Sequence, residues 1–102
     1  MKIIFWGTPE YSVISLENLL NSNHEILAVV TQPDKRRSRG KKLIPSPVKV
    51  FSQKNSIPTL CPEKIKNNSD FISTLKEFNP DIFIVVAYGK ILTKEILEIP
   101  KY

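Results

Sequence analysis

Four short runs of apolar and β-branched residues constrain the fold of this chain most. They cover residues 2–6, 25–31, 57–61 and 82–87 and show little of the apolar–polar alternation of a strand with one wet face. Continuous apolar runs of this length are typical of parallel strands covered on both faces. The third run is the weakest, because Pro58 cannot donate a ladder hydrogen bond. The fourth is the most apolar, and we expect it to be a central strand.

The segments between these runs carry helix signals. Thr8, Pro9 and Glu10 predict a helix start, with a hydroxyl N-cap, a proline at the first helical position and an acid facing the helix dipole. Ser69 is the expected N-cap of an amphipathic helix. The expected helices cover residues 9–20, 48–54, 69–78 and 93–97, whereas residues 33–47 are expected to form a long loop. The alternation predicts an α/β fold with a doubly wound, Rossmann-like parallel sheet.

In such folds ligands bind at the carboxyl ends of the strands, near the point where the strand order reverses. The ends expected here are Gly7-Thr8-Pro9, Thr31-Gln32-Pro33 and Tyr88-Gly89-Lys90. The ligand site is therefore expected along this edge.

The positive charge is concentrated in the long loop. The chain has 15 basic and 10 acidic residues, a net charge of +5. Seven of the basic residues lie between Pro33 and Lys49, against the single acid Asp34, so this segment holds the whole excess. Such a cluster is an electrostatic footprint for phosphate groups, and a solvated loop without a partner is the alternative.

Several function classes lack their sequence signals. Three glycines in all cannot supply a dinucleotide fingerprint at the first strand, and Gly40-Lys41-Lys42 is not a phosphate-binding loop of the ATPase type. One histidine and one cysteine do not make a metal site. We expect His24 to be an exposed connector residue and Cys61 to be a buried small hydrophobe. No signal peptide and no membrane span are expected, which favours the cytoplasm.

Three motifs together are similar to a known family. They are Phe5-Trp6-Gly7-Thr8-Pro9-Glu10, the stretch from Thr31-Gln32-Pro33-Asp34 to Arg39-Gly40-Lys41-Lys42-Leu43-Ile44-Pro45-Ser46-Pro47-Val48-Lys49, and Val85-Val86-Ala87-Tyr88-Gly89-Lys90-Ile91-Leu92. In order and spacing the chain resembles the N-terminal part of the bacterial methionyl-tRNA formyltransferase family. The basic motif is the most specific of the three.

The resemblance implies formyl transfer from 10-formyltetrahydrofolate to the amino group of methionyl initiator tRNA. It implies a formyltransferase-type sheet, here an incomplete single domain over residues 1–102, truncated after about four strands. The expected tRNA-binding residues are Arg39, Lys41 and Lys42 with Arg36 and Arg37. The expected folate-pocket residues are Tyr88, Gly89, Lys90, Ile91 and Leu92, and the expected substrate loop is Gly7, Thr8 and Pro9. Thr93 stands where the family usually has proline.

The resemblance also implies that no catalytic residue lies in this chain. The family's catalytic Asn, its Asn-x-His histidine and a later Asp correspond to positions after Tyr102, and His24 lies in the wrong part of the fold to substitute. We therefore expect a formyltransferase piece that is inactive alone, cytoplasmic and monomeric, with no metal, membrane or DNA partner. Two alternatives remain: a small non-catalytic RNA-binding module that uses residues 33–49, and a folate enzyme acting on a small phosphorylated amine.

Overall fold

A four-stranded parallel sheet forms the centre of the molecule. The structure, a computed structural model, describes residues 1–36 and 43–102. In chain order its elements are β1 (Lys2–Gly7), α1 (Glu10–Leu20), β2 (Glu25–Val30), β3 (Lys35–Arg36), β4 (Leu43–Ile44), α2 (Pro47–Lys54), β5 (Thr59–Leu60), α3 (Ser69–Phe78), β6 (Ile82–Val86) and α4 (Lys94–Leu97). The sheet order is β5-β2-β1-β6. The chain moves outward from β1 to β2 and β5 and returns to the other side of β1, so the strand order reverses between β1 and β6.

Helices cover both faces of this sheet, as the continuous apolar runs predict. On one face Trp6 packs with Phe71 and Leu75 of α3 and with Ile96 of α4. On the other face Phe5 and Val29 pack with two side chains from helices, Leu16 of α1 and Val48 of α2. Neighbouring residues of β1 therefore serve opposite cores, because side chains alternate across a strand. The doubly wound α/β prediction is confirmed.

Within the described part of residues 1–102 the structure does not place β6 between two strands. Among the described residues β6 pairs with β1 alone and lies at the edge of the sheet, and Val85 is 47% exposed. An apolar run indicates that both faces of a strand are packed, but it does not indicate whether other strands pair with it on both sides.

The long loop contains a short hairpin that the sequence did not predict. β3 and β4 pair antiparallel, with Lys35 opposite Ile44 and Arg36 opposite Leu43. Leu43 and Ile44 are both exposed, so β4 has no buried face and leaves no apolar periodicity.

Both expected hydroxyl caps are displaced by one residue. Pro9 is the N-cap of α1 without a side-chain hydrogen bond, and the Thr8 hydroxyl bonds elsewhere. Asn68, rather than Ser69, caps α3 by accepting from Phe71 N. The α2 start agrees better with expectation: Pro47 is the first helical residue, and Ser46 Oγ accepts from Lys49 N.

Of the remaining expectations, the third strand is shorter than predicted and covers only Thr59–Leu60. Cys61 is partly rather than fully buried. His24 is exposed, as expected. No helix in the described ranges is long and apolar enough to cross a bilayer.

Candidate functional site at the carboxyl ends of the strands

The three predicted strand ends meet at one backbone oxygen. Thr8 Oγ1 donates a 2.7 Å hydrogen bond to the Tyr88 carbonyl, and Gln32 Nε2 donates a 3.0 Å hydrogen bond to the same oxygen. Thr8 follows β1, Gln32 follows β2 and Tyr88 follows β6. The Thr8 bond thus bridges the point where the strand order reverses, where doubly wound folds place their ligands.

A second hydroxyl ties α1 to the end of β6. Ser12 is fully buried, and its Oγ donates a 2.6 Å hydrogen bond to the Val86 carbonyl. Gly7 lies between these groups: a Cβ there would stand 2.8 Å from Phe5 Cε2, 2.9 Å from Ser12 Cβ and 2.9 Å from Val86 O. The absent side chain at Gly7 lets α1 and β6 approach β1 this closely.

Two residues after β6 have positive φ angles. Ala87 has φ of 54° and Gly89 has φ of 100°, both in the left-handed region. A Cβ on Gly89 would lie 2.9 Å from Gln32 Nε2. Non-glycine residues with positive φ persist where the surroundings over-determine them. The contacts of Tyr88 therefore decide the path of this loop.

The expected folate-pocket residues have different surroundings. The Tyr88 ring is 1% exposed and stands edge-on to Trp6, with ring centroids 5.1 Å apart. Leu92 packs against the same core, whereas Ile91 is 94% exposed. Lys90 Nζ donates to the Glu63 carbonyl. The Tyr88 backbone carbonyl therefore lies at the carboxyl ends of the strands, whereas its ring packs in the core.

A cavity of about 270 Å³ opens beside the same strand ends. Its lining includes Thr8, Gln32 and Ser46 together with apolar groups of Ile44 and Pro45. Mostly apolar walls with a few polar groups are typical of small-ligand sites. Thr8 and Gln32 therefore belong to both the cavity wall and the Tyr88 contact.

An ion pair lies at the start of the basic segment. Lys49 Nζ and Asp34 Oδ1 are 2.8 Å apart, and each side chain is about one quarter exposed. The hydrogen bond to Asp34 raises the pKa of the Lys49 ammonium. Burial raises the pKa of the nearby Cys61 thiol, and the Lys49 charge opposes that shift. The Lys49 charge is thus already paired within the fold.

The expected tRNA-binding residues fall mostly outside this geometry. Arg37, Arg39, Lys41 and Lys42 lie outside the described residues, and only the backbone of Arg36 is described, in β3. Among the described residues no cluster of side chains has metal-ligand composition.

Sequence reasoning did not single out Gln32 or Ser12 as site residues. Gln32 sits inside a predicted strand end, and a long polar side chain directly after a buried strand was the available signal. For Ser12 the only signal was a small polar residue on the inner face of an apolar helix. Which carbonyl each one meets depends on β6, about 55 to 75 residues further along the chain.

We expect the Tyr88 phenol to ionise at about pH 12, because burial, and secondarily Cys61, raises its pKa to about 12 from an ordinary value of 10.0. Between these values the unfolded chain has lost the proton and the folded chain retains it. The free energy of unfolding should therefore fall as pH rises above about 10, by up to about 1.4 kcal/mol per pH unit. Phenolate absorbance and urea unfolding against pH measure both effects.

Tyr88→Phe should abolish the absorbance step near pH 12, whereas Tyr11→Phe, an exposed control, should leave that step in place. An absorbance step near pH 12 that remains in Tyr88→Phe would contradict its assignment to Tyr88.

The fold and this edge define a doubly wound α/β protein with a candidate ligand site at the carboxyl ends of its strands. The sequence matches the family described as Formyl transferase over residues 1–102, and the chain belongs to that family. It is 67% identical over 102 residues to the methionyl-tRNA formyltransferase of Prochlorococcus marinus (strain MIT 9515) and 57% identical to that of Sulfurihydrogenibium sp. (strain YO3AOP1). All of the chain is covered, but only 31% and 33% of those relatives, so it spans about a third of their length.

Solved structures carry the same fold. The phosphoribosylglycinamide formyltransferase of Bacillus halodurans aligns with a TM-score of 0.66 at 11% identity, over 97% of this chain and 51% of that one. The Coxiella burnetii enzyme of the same name aligns with a TM-score of 0.58 at 16% identity, over 93% and 44%. At these identities the likeness supports the α/β fold alone.

Proposed function

We propose that this chain is the substrate-positioning part of a methionyl-tRNA formyltransferase, which transfers the formyl group of 10-formyltetrahydrofolate to the amino group of methionyl initiator tRNA. The observation that carries the proposal is the meeting of the β1, β2 and β6 ends at the Tyr88 carbonyl, beside the start of the basic segment. Identities of 51 to 67% to curated methionyl-tRNA formyltransferases over the whole chain support it.

For the tRNA, the proposed contacts are Arg39, Lys41 and Lys42, with Arg36 and Arg37 nearby. An arginine can hydrogen-bond and stack at the end of a base-paired stem, and lysines supply point charges to phosphates. Because Lys49 is paired with Asp34, it is not among the cations that we assign to the tRNA.

For the folate, the proposed surface is residues 88–92, with the substrate loop Gly7, Thr8 and Pro9 opposite. The Tyr88 ring is buried in the core, and Leu92 packs against the same core. Backbone polar groups and apolar side chains suit a flat heteroaromatic ring. In this proposal the donor lies along the β6 end and the amine substrate enters from the basic segment.

Within this proposal residues 1–102 form one incomplete domain, acting as a monomer in the cytoplasm. The groups that polarise the donor and take the amine proton belong to the family's later Asn, His and Asp. The 102-residue polypeptide by itself is therefore expected to form no formylmethionyl-tRNA from 10-formyltetrahydrofolate. Formation of that product by the purified chain would contradict this part of the proposal.

The affinity of the chain for methionyl initiator tRNA should fall steeply with salt. Neutralising four to six phosphates predicts a slope of log affinity against log salt of about −3 to −5. Lys41→Ala and Lys42→Ala should each flatten the slope by about one unit, because each removes one phosphate contact. Fluorescence anisotropy of labelled tRNA over a salt series measures the slope.

Lys76→Ala is the matched control, since Lys76 is an exposed lysine on α3 outside the basic segment. Its slope should equal that of the unsubstituted chain. Equal flattening by Lys76→Ala would mean that the contact is general electrostatic attraction, and a salt-independent affinity would remove the tRNA assignment.

Binding of 5-formyltetrahydrofolate, a chemically stable relative of the donor, separates this proposal from the RNA-module alternative. Trp6, the one tryptophan, contacts the Tyr88 ring and reports on residues 88–92 by its fluorescence. A saturable change supports the formyltransferase proposal. Salt-dependent tRNA binding with no response to this folate would favour the RNA module instead.

A further inference from the structure

The loop after β6 has few anchors. Ile91, the residue that follows Lys90, is 94% exposed. Residues 88–92 are held by the buried Tyr88 ring, by Leu92 packed against the same core, by the Lys90 contact to the Glu63 carbonyl, and by the two donors on the Tyr88 carbonyl.

The two donors fill the hydrogen-bonding capacity of that carbonyl. A carbonyl oxygen has two lone pairs, and Thr8 Oγ1 and Gln32 Nε2 each donate to this one. They come from the ends of two different strands, so together they fix the orientation of the Tyr88–Gly89 peptide relative to the sheet. Loss of either donor leaves only one of these two hydrogen bonds to the peptide.

Gly89 shows that the Gln32 amide and the loop backbone are fitted to each other. Gly89 has φ of 100°, and a Cβ at this position would stand 2.9 Å from Gln32 Nε2. The amide of Gln32 therefore occupies the space that a side chain at position 89 would take. Gln32 is itself only 9% exposed, so its amide is held in a packed environment.

We propose that Thr8 and Gln32 are positioning residues, which through the Tyr88 carbonyl hold residues 88–92 in the conformation that receives the folate. We call Thr8 and Gln32 together the carbonyl clamp. Its ligand role rests on the proposed function, whereas its effect on the loop does not. Both residues also line the 270 Å³ cavity.

The test uses Thr8→Val, which removes the hydroxyl at nearly constant shape, and Gln32→Met, which keeps an unbranched side chain without a donor. Thr8→Ser keeps the hydroxyl and should behave as the unsubstituted chain. Ser12→Ala is the matched control, because it removes a hydroxyl-to-carbonyl bond of the same kind from Val86, two residues before Tyr88.

Backbone order parameters from ¹⁵N relaxation give the first readout. In Thr8→Val and Gln32→Met we expect the values at residues 89–92 to fall from about 0.85 to below about 0.6, with the core strands unchanged. The second readout is the affinity for 5-formyltetrahydrofolate, expected to weaken about fivefold in each variant. Because both donors act on one oxygen, the double variant should lose less than the product of the two effects.

Unchanged order parameters in either clamp variant that folds would overturn the inference, whatever the folate result. A loss of order with unchanged folate affinity would also overturn it, because the loop would then not be what receives the ligand. A loss of order in a chain whose unsubstituted form does not bind the folate would remove the proposed function and leave the clamp as the anchor of the loop. If Thr8→Val does not fold, Gln32→Met alone decides.

Discussion

Gly7→Ala is expected to lower the free energy of unfolding by about 3 kcal/mol, at the upper end of the usual cost of overpacking. The new Cβ would lie within 3.0 Å of Phe5 Cε2, Ser12 Cβ and Val86 O at once. One of these neighbours is backbone of the paired strand and another begins a fully buried side chain, so no single rotamer change relieves the contact. Moving Val86 would also stretch its hydrogen bond from Ser12 Oγ.

Urea unfolding followed by circular dichroism measures this loss. For a domain of this size it corresponds to a fall in melting temperature of about 12 °C or more. Ser73→Ala, at an exposed position of α3, should stay within about 0.5 kcal/mol of the unsubstituted chain. A Gly7→Ala chain as stable as this control would show that α1 and β6 do not approach β1 as described.

Leu75→Ala and Leu16→Ala should each cost about 2–5 kcal/mol, the range for a fully buried leucine. Leu75 of α3 and Leu16 of α1 are both 0% exposed, and they lie in separate clusters on opposite faces of the sheet. The pair therefore tests each layer of the doubly wound fold independently. Since domains of this size are stabilised by about 5–15 kcal/mol in total, either loss should be large enough to measure without ambiguity.

Because the two leucines share no partners, their losses should add in the double variant to within about 0.5 kcal/mol. Asn18→Ala, exposed on α1, is the control for the helix itself. If Leu16→Ala lowers the free energy of unfolding but Leu75→Ala hardly changes it, then α3 does not pack against the sheet in this 102-residue chain. Urea unfolding of the single and double variants decides between these outcomes.

Most of the architecture could be predicted from local pattern. Residues 2–6 and 25–31 are apolar on both strand faces, and in the structure Phe5 and Trp6 pack in opposite cores. The α3 helix was predicted at its observed bounds, because its apolar positions repeat at helical spacing. Period and polarity are properties of neighbouring residues, so the sequence contains them directly.

The failed expectations share a physical cause. The use of the Thr8 hydroxyl depends on a backbone group 80 residues further along the chain, and the β3–β4 pairing depends on which backbone groups within one loop come together. A hydroxyl before a helix can satisfy the helix or a distant carbonyl, and local sequence gives both the same signal. In the structure the Thr8 hydroxyl donates to the Tyr88 carbonyl, and Pro9 is the N-cap of α1.

The sequence by itself determined the fold class, the edge of the sheet at which a ligand site is expected and the charge of the neighbouring segment, because apolar period, strand direction and charge are local. Only the tertiary structure decided that Thr8 and Gln32 meet on one carbonyl oxygen and that Tyr88 turns its ring into the core. The order β2-β1-β6 brings together residues 8, 32 and 88. Contacts across such separations are set by how the strands assemble, which no local pattern records.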